Sequence, residues 1–284
     1  MNKRIKEVDQ LKKIATQVRR DILRQVHSCQ SGHPGGSLGC TDLLAALYFN
    51  LMKHNNTFNM KGEGEDLFFL SNGHISPVMY SVLARAGYFE VSELATFRKL
   101  NSRLQGHPTT HEHLPGIRMS AGSLGQGLSV AIGAALSKKL KNDNSIVYVL
   151  MGDGEQNEGQ VWEAVQFAPH HRVDNLIAIV DVNGQQIDGP TEKVMNNRNL
   201  ANKYGAFGWQ ILHMDGNNMQ DLLDTLEHAK DLSAKGSPIA IMMRTEMGAG
   251  VDFMMGSHKW HGIAPNDEQL QLALAQLEET IGDY

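Results

Sequence analysis

The sequence predicts an α/β fold: a doubly wound, mostly parallel sheet with helices on both faces. Short apolar runs, several of them β-branched, alternate along the chain with stretches of helical periodicity. A parallel crossover needs a connecting helix, and a strand covered on both faces reads as a continuous apolar run, so the alternation favours a parallel sheet. The predicted strands are 67–71, 146–151, 176–181, 209–214 and 239–244.

Helical periodicity fills the segments between and around these strands. The apolar residues of 5–27 recur at helical spacing and predict an amino-terminal helix. Asn266 and Asp267 can cap a last helix over 266–281. Because no repeat, low-complexity tract or linker divides the chain, we expect a single domain over 1–284. The other predicted helices are 76–87, 124–141, 158–168 and 217–234.

Composition and charge exclude several functional classes. With 41% hydrophobic and 20% charged residues, the 284-residue chain is typical of a soluble globular protein. No apolar run reaches the about 18 residues that a membrane span requires. The net charge of −5 and the scattered basic residues offer no surface for nucleic acid. We therefore expect neither a membrane nor a nucleic-acid partner.

The amino-terminal segment and the cysteines favour a cytoplasmic protein. The first 26 residues mix acidic and basic side chains and lack the apolar stretch of a signal peptide. Cys29 and Cys40 are too few for a disulfide framework, and their spacing matches no familiar metal site. We expect both to be buried thiols.

Glycine and polar residues follow the first three predicted strands. In doubly wound folds the ligand lies beyond the carboxyl ends of the strands, so these residues are candidates for the chemistry. The connections 100–122 and 183–200 are long and rich in Gly, Pro, His and Asn, which is typical of functional loops. The residues after the strands are 72–74 (NGH), 152–154 (GDG) and 182–184 (VNG).

Asp153 and Asn183 provide the strongest signal for a ligand, because each comes just after a strand and the fold can bring them together. Mg²⁺ prefers oxygen ligands, which the Asp153 carboxylate, the Asn183 amide and the main-chain carbonyl of Gln185 supply; Ca²⁺ or Mn²⁺ could use the same set. The glycines beside Asp153 would let a diphosphate approach the backbone, and a helix beginning near Glu158 would offer it N–H groups. The alternative is an ordinary strand-turn-helix with an incidental aspartate.

A histidine-rich loop offers a second candidate metal site. Within seven residues it contains His107, His111, Glu112 and His113, and zinc binds such side chains. Pro108 and the irregular spacing oppose a helical pair of ligands. We therefore expect His111 and His113 to be solvated loop residues.

Two segments resemble the signature of thiamine-diphosphate enzymes in its transketolase form. They are 152–159 (GDGEQNEG) and 182–189 (VNGQQIDG). The resemblance extends from about residue 10 to about residue 265. Further segments that resemble transketolase, in the order of that family, are 31–36 (SGHPGG), 70–74 (LSNGH), 106–108 (GHP), 122–127 (GSLGQG) and 260–262 (WHG).

This resemblance implies that the chain binds thiamine diphosphate together with Mg²⁺, held by the three oxygen ligands named above. By similarity, His74, His261 and the backbone N–H of Gly154 bind the diphosphate. Gly122 and Leu124 line the cofactor, and the carbonyl of Gly122 accepts a hydrogen bond from its aminopyrimidine.

The resemblance also implies the groups that act on a substrate. His33 and His107 would donate hydrogen bonds to a sugar near its reactive carbon, and His33 with His261 would relay protons. Histidine suits these tasks because its pKa lies near working pH. Glu158 resembles a glutamate that joins a carboxylate network across a subunit interface.

The resemblance covers only the amino-terminal half of a transketolase, without the pyrimidine-binding and C-terminal domains. It implies the N-terminal subunit of a split enzyme, inactive alone. We expect a separate C-terminal subunit of about 300 residues that carries the two missing domains. The expected assembly is a 2+2 heterotetramer with thiamine diphosphate at the boundary between the chains.

The implied reaction is transfer of a two-carbon ketol unit from a ketose, by default xylulose 5-phosphate, to an aldose. One alternative is the cofactor-binding subunit of a 2-oxoacid dehydrogenase or of a 1-deoxyxylulose phosphate synthase-like enzyme. Decarboxylation of a pyruvate-like substrate does not need histidines arranged around sugar hydroxyls, which favours ketol transfer. Another alternative is a non-catalytic module that binds thiamine diphosphate.

Overall fold

A five-stranded, entirely parallel sheet forms the centre of the protein, whose residues 4–284 are described by a computed structural model. The strand order is β1-β2-β3-β7-β6, and a two-stranded antiparallel hairpin, β4-β5, lies apart from the sheet. The strands are β1 (Leu67–Leu70), β2 (Val147–Gly152), β3 (Leu176–Val182), β4 (Gln185–Gln186), β5 (Gly189–Pro190), β6 (Gln210–Asp215) and β7 (Ile239–Arg244). All five strands predicted from the sequence are present in the sheet, within one residue at each end.

Helices surround the sheet, and α3 continues into a single π turn over Leu47–Leu51. The helices are α1 (Val8–Ser28), α2 (Pro34–Gly39), α3 (Thr41–Ala46), α4 (Ser76–Arg85), α5 (Gln126–Leu140), α6 (Gly159–His170), α7 (Thr191–Val194), α8 (Leu200–Ala206), α9 (Met219–Leu232) and α10 (Asp267–Gln276). Within residues 4–284, no helix combines the length and the apolar character that crossing a bilayer requires.

Alternation along each strand gives the sheet two separate apolar cores. Tyr148 and Leu150 belong to a core with α1, α3, α4, α9 and α10. Val149 and Met151 belong to a second core with α5, α6 and α8. Successive side chains of a strand point to opposite faces, so both faces of this sheet are covered, as a doubly wound fold requires.

Four regions differ from the sequence-based prediction. Helices α2 and α3, and later α8, form where no helix was predicted, and α10 ends at Gln276 rather than 281. The loop 183–200 contains the β4-β5 hairpin and α7. Cys40 is buried as expected, but Cys29 is only half-buried, so the expectation for Cys29 was wrong.

A buried ion pair fastens α1 to α4. Arg85 donates two hydrogen bonds to Asp21, of 2.8 and 2.7 Å, and the side chains are 8% and 0% exposed. Nearby, Arg20 forms a 2.6 Å ion pair with Asp283, which holds the last residues of the chain against α1. Both pairs use the fork geometry in which arginine binds a carboxylate through two nitrogens.

Candidate active site

A cavity of about 550 Å³ opens at the carboxyl ends of the parallel strands. Its wall combines residues that follow β1, β2 and β3 with residues before α2 and after β7. It therefore lies where a doubly wound fold places its ligand. The lining residues that the sequence singled out are His33, His74, Gly122, Leu124, Asp153, Gly154, Glu158, Asn183, Gln185 and His261.

The carboxylate of Asp153 is held by the loop that follows β3. One oxygen accepts a 2.7 Å hydrogen bond from the backbone N–H of Gly154, and the other accepts 2.8 Å from the N–H of Gly184. The side chain of Asn197 donates to the Asp153 carbonyl at 2.6 Å. These bonds fix the carboxylate at the cavity wall. The Gly154 N–H, which the sequence assigned to a diphosphate, is thus already engaged by Asp153.

Asn183 is oriented by a buried aspartate that the sequence did not single out. Its amide nitrogen donates to Asp181 at 2.8 Å, and its amide oxygen accepts from the N–H of Gln185 at 2.9 Å. Asp181 also accepts hydrogen bonds from Thr245 (2.5 Å) and Cys40 (3.3 Å). Asp181 therefore fixes which way the Asn183 amide faces, much as outer-shell partners fix metal ligands.

Burial beside a second carboxylate raises the pKa of Asp153 to about 7, because water is excluded and Asp181 lies nearby. Burial likewise raises the pKa of Asp181. Burial of these two neighbouring carboxylates disfavours their negative charge, and a divalent cation bound to Asp153 would stabilise it. The oxygen donors here suit a hard cation such as Mg²⁺.

Four histidines that are distant in the sequence come together here, and three of them, His33, His74 and His261, line the cavity. His33 is central, with ring centroids 5.0 Å from His74, 5.6 Å from His261 and 6.4 Å from His107. The centroids of His74 and His261 are 5.1 Å apart. His33 immediately precedes α2, His74 lies in the turn before α4, and His261 ends a short 3₁₀ turn.

The site disfavours positive charge on the histidine rings, because each pKa is lowered from its usual value. Burial, followed by the neighbouring His261, lowers the pKa of His33 to about 4. Burial also lowers the pKa of His74, His107 and His261, with His261 adding to the effect at His74 and Arg98 at His107. A neutral imidazole donates from one nitrogen and accepts at the other, so the cluster can bind hydroxyls and move protons.

Several buried polar atoms of the cavity residues have no hydrogen-bond partner within the described chain. They are His33 Nδ1, Asn72 Oδ1, Gln185 Oε1, Gln186 Nε2 and His261 Nδ1. Leaving such atoms unpaired is costly, so a polar ligand that meets them is favoured. This donor and acceptor set fits a diphosphate with its metal ion.

His107 and the other loop histidines occupy different places. A Cβ added to Gly122 would lie 3.3 Å from the ring of His107, so His107 packs directly behind that cavity residue. His111 and His113 are exposed. Among the described residues, no group of three or more His, Cys, Asp or Glu side chains is placed to bind a metal.

Sequence reasoning also missed Glu155 and Ser71, although both lie inside motifs that it quoted. Glu155 is 2% exposed and Ser71 is 1% exposed, and the Ser71 hydroxyl donates to the Glu155 carboxylate. Their position inside these motifs was the only indication of a role, since the residues that they bind are distant in the sequence. Ile187 and Met195 add an exposed apolar rim to the cavity.

The sequence as a whole matches a known family. Residues 10–279 match the family model described as transketolase, thiamine diphosphate binding domain. The chain belongs to the transketolase family. It carries the cofactor-binding domain of a transketolase-type enzyme, which confirms the resemblance seen in its motifs.

Two relatives that match this chain over nearly their whole length are named as subunits. A subunit of the apulose-4-phosphate transketolase of Phocaeicola vulgatus is 36% identical over 275 residues, covering 97% of this chain and 96% of its own. The 6-deoxy-6-sulfo-D-fructose transketolase subunit SqwG of Clostridium sp. is 38% identical over 265 residues, covering 93% and 95%.

Longer transketolases match this chain over less than half of their own length. The match to the crystal structure of transketolase from Campylobacter jejuni covers 95% of this chain and 43% of that one, with a TM-score of 0.88 and 32% identity. Human transketolase is 35% identical over 255 residues, which is 89% of this chain and 39% of the human one. The chain thus spans less than half of these transketolases, and their fold confirms the predicted fold class.

Proposed function

We propose that this chain binds the diphosphate of thiamine diphosphate through a divalent ion and transfers a two-carbon ketol unit together with a separate C-terminal subunit. The observation that carries the proposal is the meeting of His33, His74 and His261 with Asp153 and Asn183 at one cavity. When bound, the cofactor supplies the electron sink that lets the bond beside a ketose carbonyl break.

The metal and diphosphate would be held at the loops after β2 and β3. Asp153, Asn183 and the carbonyl of Gln185 supply oxygen ligands for Mg²⁺, Ca²⁺ or Mn²⁺. His74 and His261 donate to the diphosphate, and Gly154 offers its N–H once Asp153 turns to the ion. Both oxygens of Asp153 keep lone pairs beside their present hydrogen bonds, so ion binding does not require the loop to unfold.

The substrate end of the site would be served by His33 and His107. A neutral His33 can donate to a substrate hydroxyl or to the oxygen that gains negative charge, and His261 lies near enough to exchange a proton with it. Gly122 and Leu124, which also line the cavity, would contact the cofactor between its diphosphate and its reactive end. Glu158, also on the wall, would reach the partner subunit.

The partner would be a C-terminal subunit of about 300 residues in a 2+2 assembly, in the cytoplasm. Support comes from the relatives named as subunits, which this chain matches over nearly their whole length. The two relatives are named for different sugars and are about equally identical in sequence to this chain, so sequence identity does not indicate which sugar is the donor. Xylulose 5-phosphate is the default donor, with a sulfonated ketose as the first comparison.

The test is to purify the chain together with a candidate C-terminal subunit from the same organism. Ketol transfer is then measured with a panel of ketose donors in the presence of Mg²⁺ and thiamine diphosphate. We expect transfer by the pair and none by either chain alone. A pair that binds the cofactor but decarboxylates pyruvate instead would establish the alternative reaction. A pair with cofactor and no activity on any donor would establish a non-catalytic module.

A further inference from the structure

The carboxylate of Glu155 joins three separate segments of the cavity wall. One oxygen accepts the hydroxyl of Ser71, which follows β1, and the N–H of Gly125 at 2.7 Å, just before α5. The other oxygen accepts the N–H of Gly152, at the end of β2, at 3.1 Å. All three partners are donors, so the carboxylate is the common acceptor that holds these segments together.

Ser71 extends this arrangement into the first turn of α5. Its oxygen accepts the N–H of Gly127 at 3.0 Å, which leaves its own proton free to point at Glu155. Two N–H groups at the start of α5, those of Gly125 and Gly127, are therefore satisfied inside the protein. The contact is close, because a Cβ on Gly127 would lie 2.3 Å from the Cβ of Ser71.

Each joined segment carries a residue assigned to the cofactor. Ser71 is three residues before His74, Gly125 directly follows Leu124, and Gly152 directly precedes Asp153. We propose that Glu155 is a positioning residue that sets the relative placement of His74, Leu124 and Asp153, and thereby the affinity for thiamine diphosphate. This inference rests on the proposed function, since it names the residue that assembles the same site.

Electrostatics alone predicts the opposite effect of removing this charge. A buried carboxylate in the wall of a diphosphate site repels the ligand, so Glu155→Gln would tighten binding if charge were its only contribution. If Glu155 is a positioning residue, Glu155→Gln weakens binding instead. The NH₂ group of the glutamine would face one of the three donors, and the hydrogen bond that holds that segment in place would be lost. The sign of the change in affinity therefore separates the two roles.

Asp66 provides a matched control at the other edge of the sheet. It is 6% exposed and accepts the N–H groups of Lys53 and Ile146, both at 2.8 Å, beside the amino ends of β1 and β2. Asp66→Asn makes the same chemical change, from a buried carboxylate between backbone donors to an amide. It destabilises the fold without touching the cavity.

The experiment measures thiamine diphosphate binding by calorimetry, at saturating Mg²⁺ and well below the unfolding temperature, on the complex with the C-terminal subunit. We expect Glu155→Gln to weaken binding at least about tenfold, or 1.4 kcal/mol, while Asp66→Asn stays within about twofold of wild type. In kinetics, the cofactor concentration for half-maximal rate rises, whereas kcat at saturating cofactor changes less than about threefold. A merely structural defect would instead lower the active fraction and hence kcat.

Equal or tighter binding by Glu155→Gln would overturn the inference, and so would an equal loss in Asp66→Asn. If Glu155→Gln does not fold, Ser71→Ala is measured in its place. We expect it to weaken thiamine diphosphate binding by about threefold or more, because it removes one of the three hydrogen bonds to Glu155. A wild-type complex that does not bind thiamine diphosphate would overturn the proposed function and this inference together. Equal binding by wild type and Glu155→Gln would overturn this inference alone.

Discussion

Replacing either of two glycines in α5 by alanine should change the free energy of unfolding, in opposite directions at the two positions. Gly127 is buried, and a Cβ added there would lie 2.3 Å from the Cβ and Oγ of Ser71 and 2.8 Å from its Cα. Carbon atoms in contact are normally about 3.5–4.0 Å apart, so one segment must move by more than about 1 Å. Gly133, in the middle of the same helix, has no heavy atom within 4 Å of its added Cβ.

The magnitudes follow from this geometry. Alanine is favoured over glycine inside a helix by about 1 kcal/mol at both positions. At Gly127 this gain is outweighed by overpacking of about 1–3 kcal/mol and by about 1 kcal/mol for the strained N–H bond to Ser71. We expect the free energy of unfolding to fall by about 1–3 kcal/mol in Gly127→Ala and to rise by about 0.5–1 kcal/mol in Gly133→Ala.

Urea unfolding of the cofactor-free chain, followed by circular dichroism, measures both variants on one scale. In a thermal scan, a loss of 1 kcal/mol corresponds to about 2 °C for a chain of this size. If Gly127→Ala proved as stable as Gly133→Ala, the close contact between α5 and the segment after β1 would be wrong. The assembly of the cavity wall described above would then be wrong as well.

Three further outcomes follow from the buried titratable groups. Arg85→Met leaves Asp21 buried without its partner and should lower the free energy of unfolding in urea by about 3 kcal/mol. Lys141→Ala removes one partner of an exposed pair and should change it by no more than about 0.5 kcal/mol; equal midpoints for the two variants would contradict this. The pKa of His33 is lowered to about 4 from the 6.5 of an exposed histidine, so the unfolded chain binds a proton at this residue more readily than the folded chain. The contribution of neutral His33 to the stability of the fold is therefore complete above pH 6.5 and is lost as the pH falls toward 4. Urea midpoints at pH 7.5 and 5 should thus differ less in His33→Gln than in wild type, and an unchanged difference would refute this. Asp153→Asn should weaken Mg²⁺-dependent cofactor binding by at least about 100-fold in calorimetry, because it removes the carboxylate proposed to bind the ion; binding within about tenfold of wild type would count against the metal site.

The sheet and the location of the site could be predicted because both depend on local sequence. Buried parallel strands read as continuous apolar runs, and the residues after them face the ligand. Asp153 and Asn183 could therefore be paired from their positions in the chain. The roles of the four histidines came from the family resemblance, since no local pattern joins positions so far apart.

Tertiary contacts account for what the sequence did not reveal. The glycines of α2 disfavour a helix, yet one forms because they allow close packing: a Cβ on Gly35 would lie 2.6 Å from Met247 and 2.8 Å from the carbonyl of Trp260. Helix α10 ends early because the residues after Gln276 bind α1 instead, where Arg20 donates a 2.7 Å hydrogen bond to the Leu277 carbonyl. Such long-range contacts leave no periodic trace in the chain.

The hydrogen bonds of Asp153 have a practical consequence for preparing the apoprotein. Because two backbone N–H groups already satisfy its carboxylate, the loop does not depend on an ion to hold its shape. Small zinc domains behave differently, since they unfold when a chelator removes their metal. Dialysis against EDTA should therefore yield a folded, empty protein that takes up ion and vitamin again without refolding.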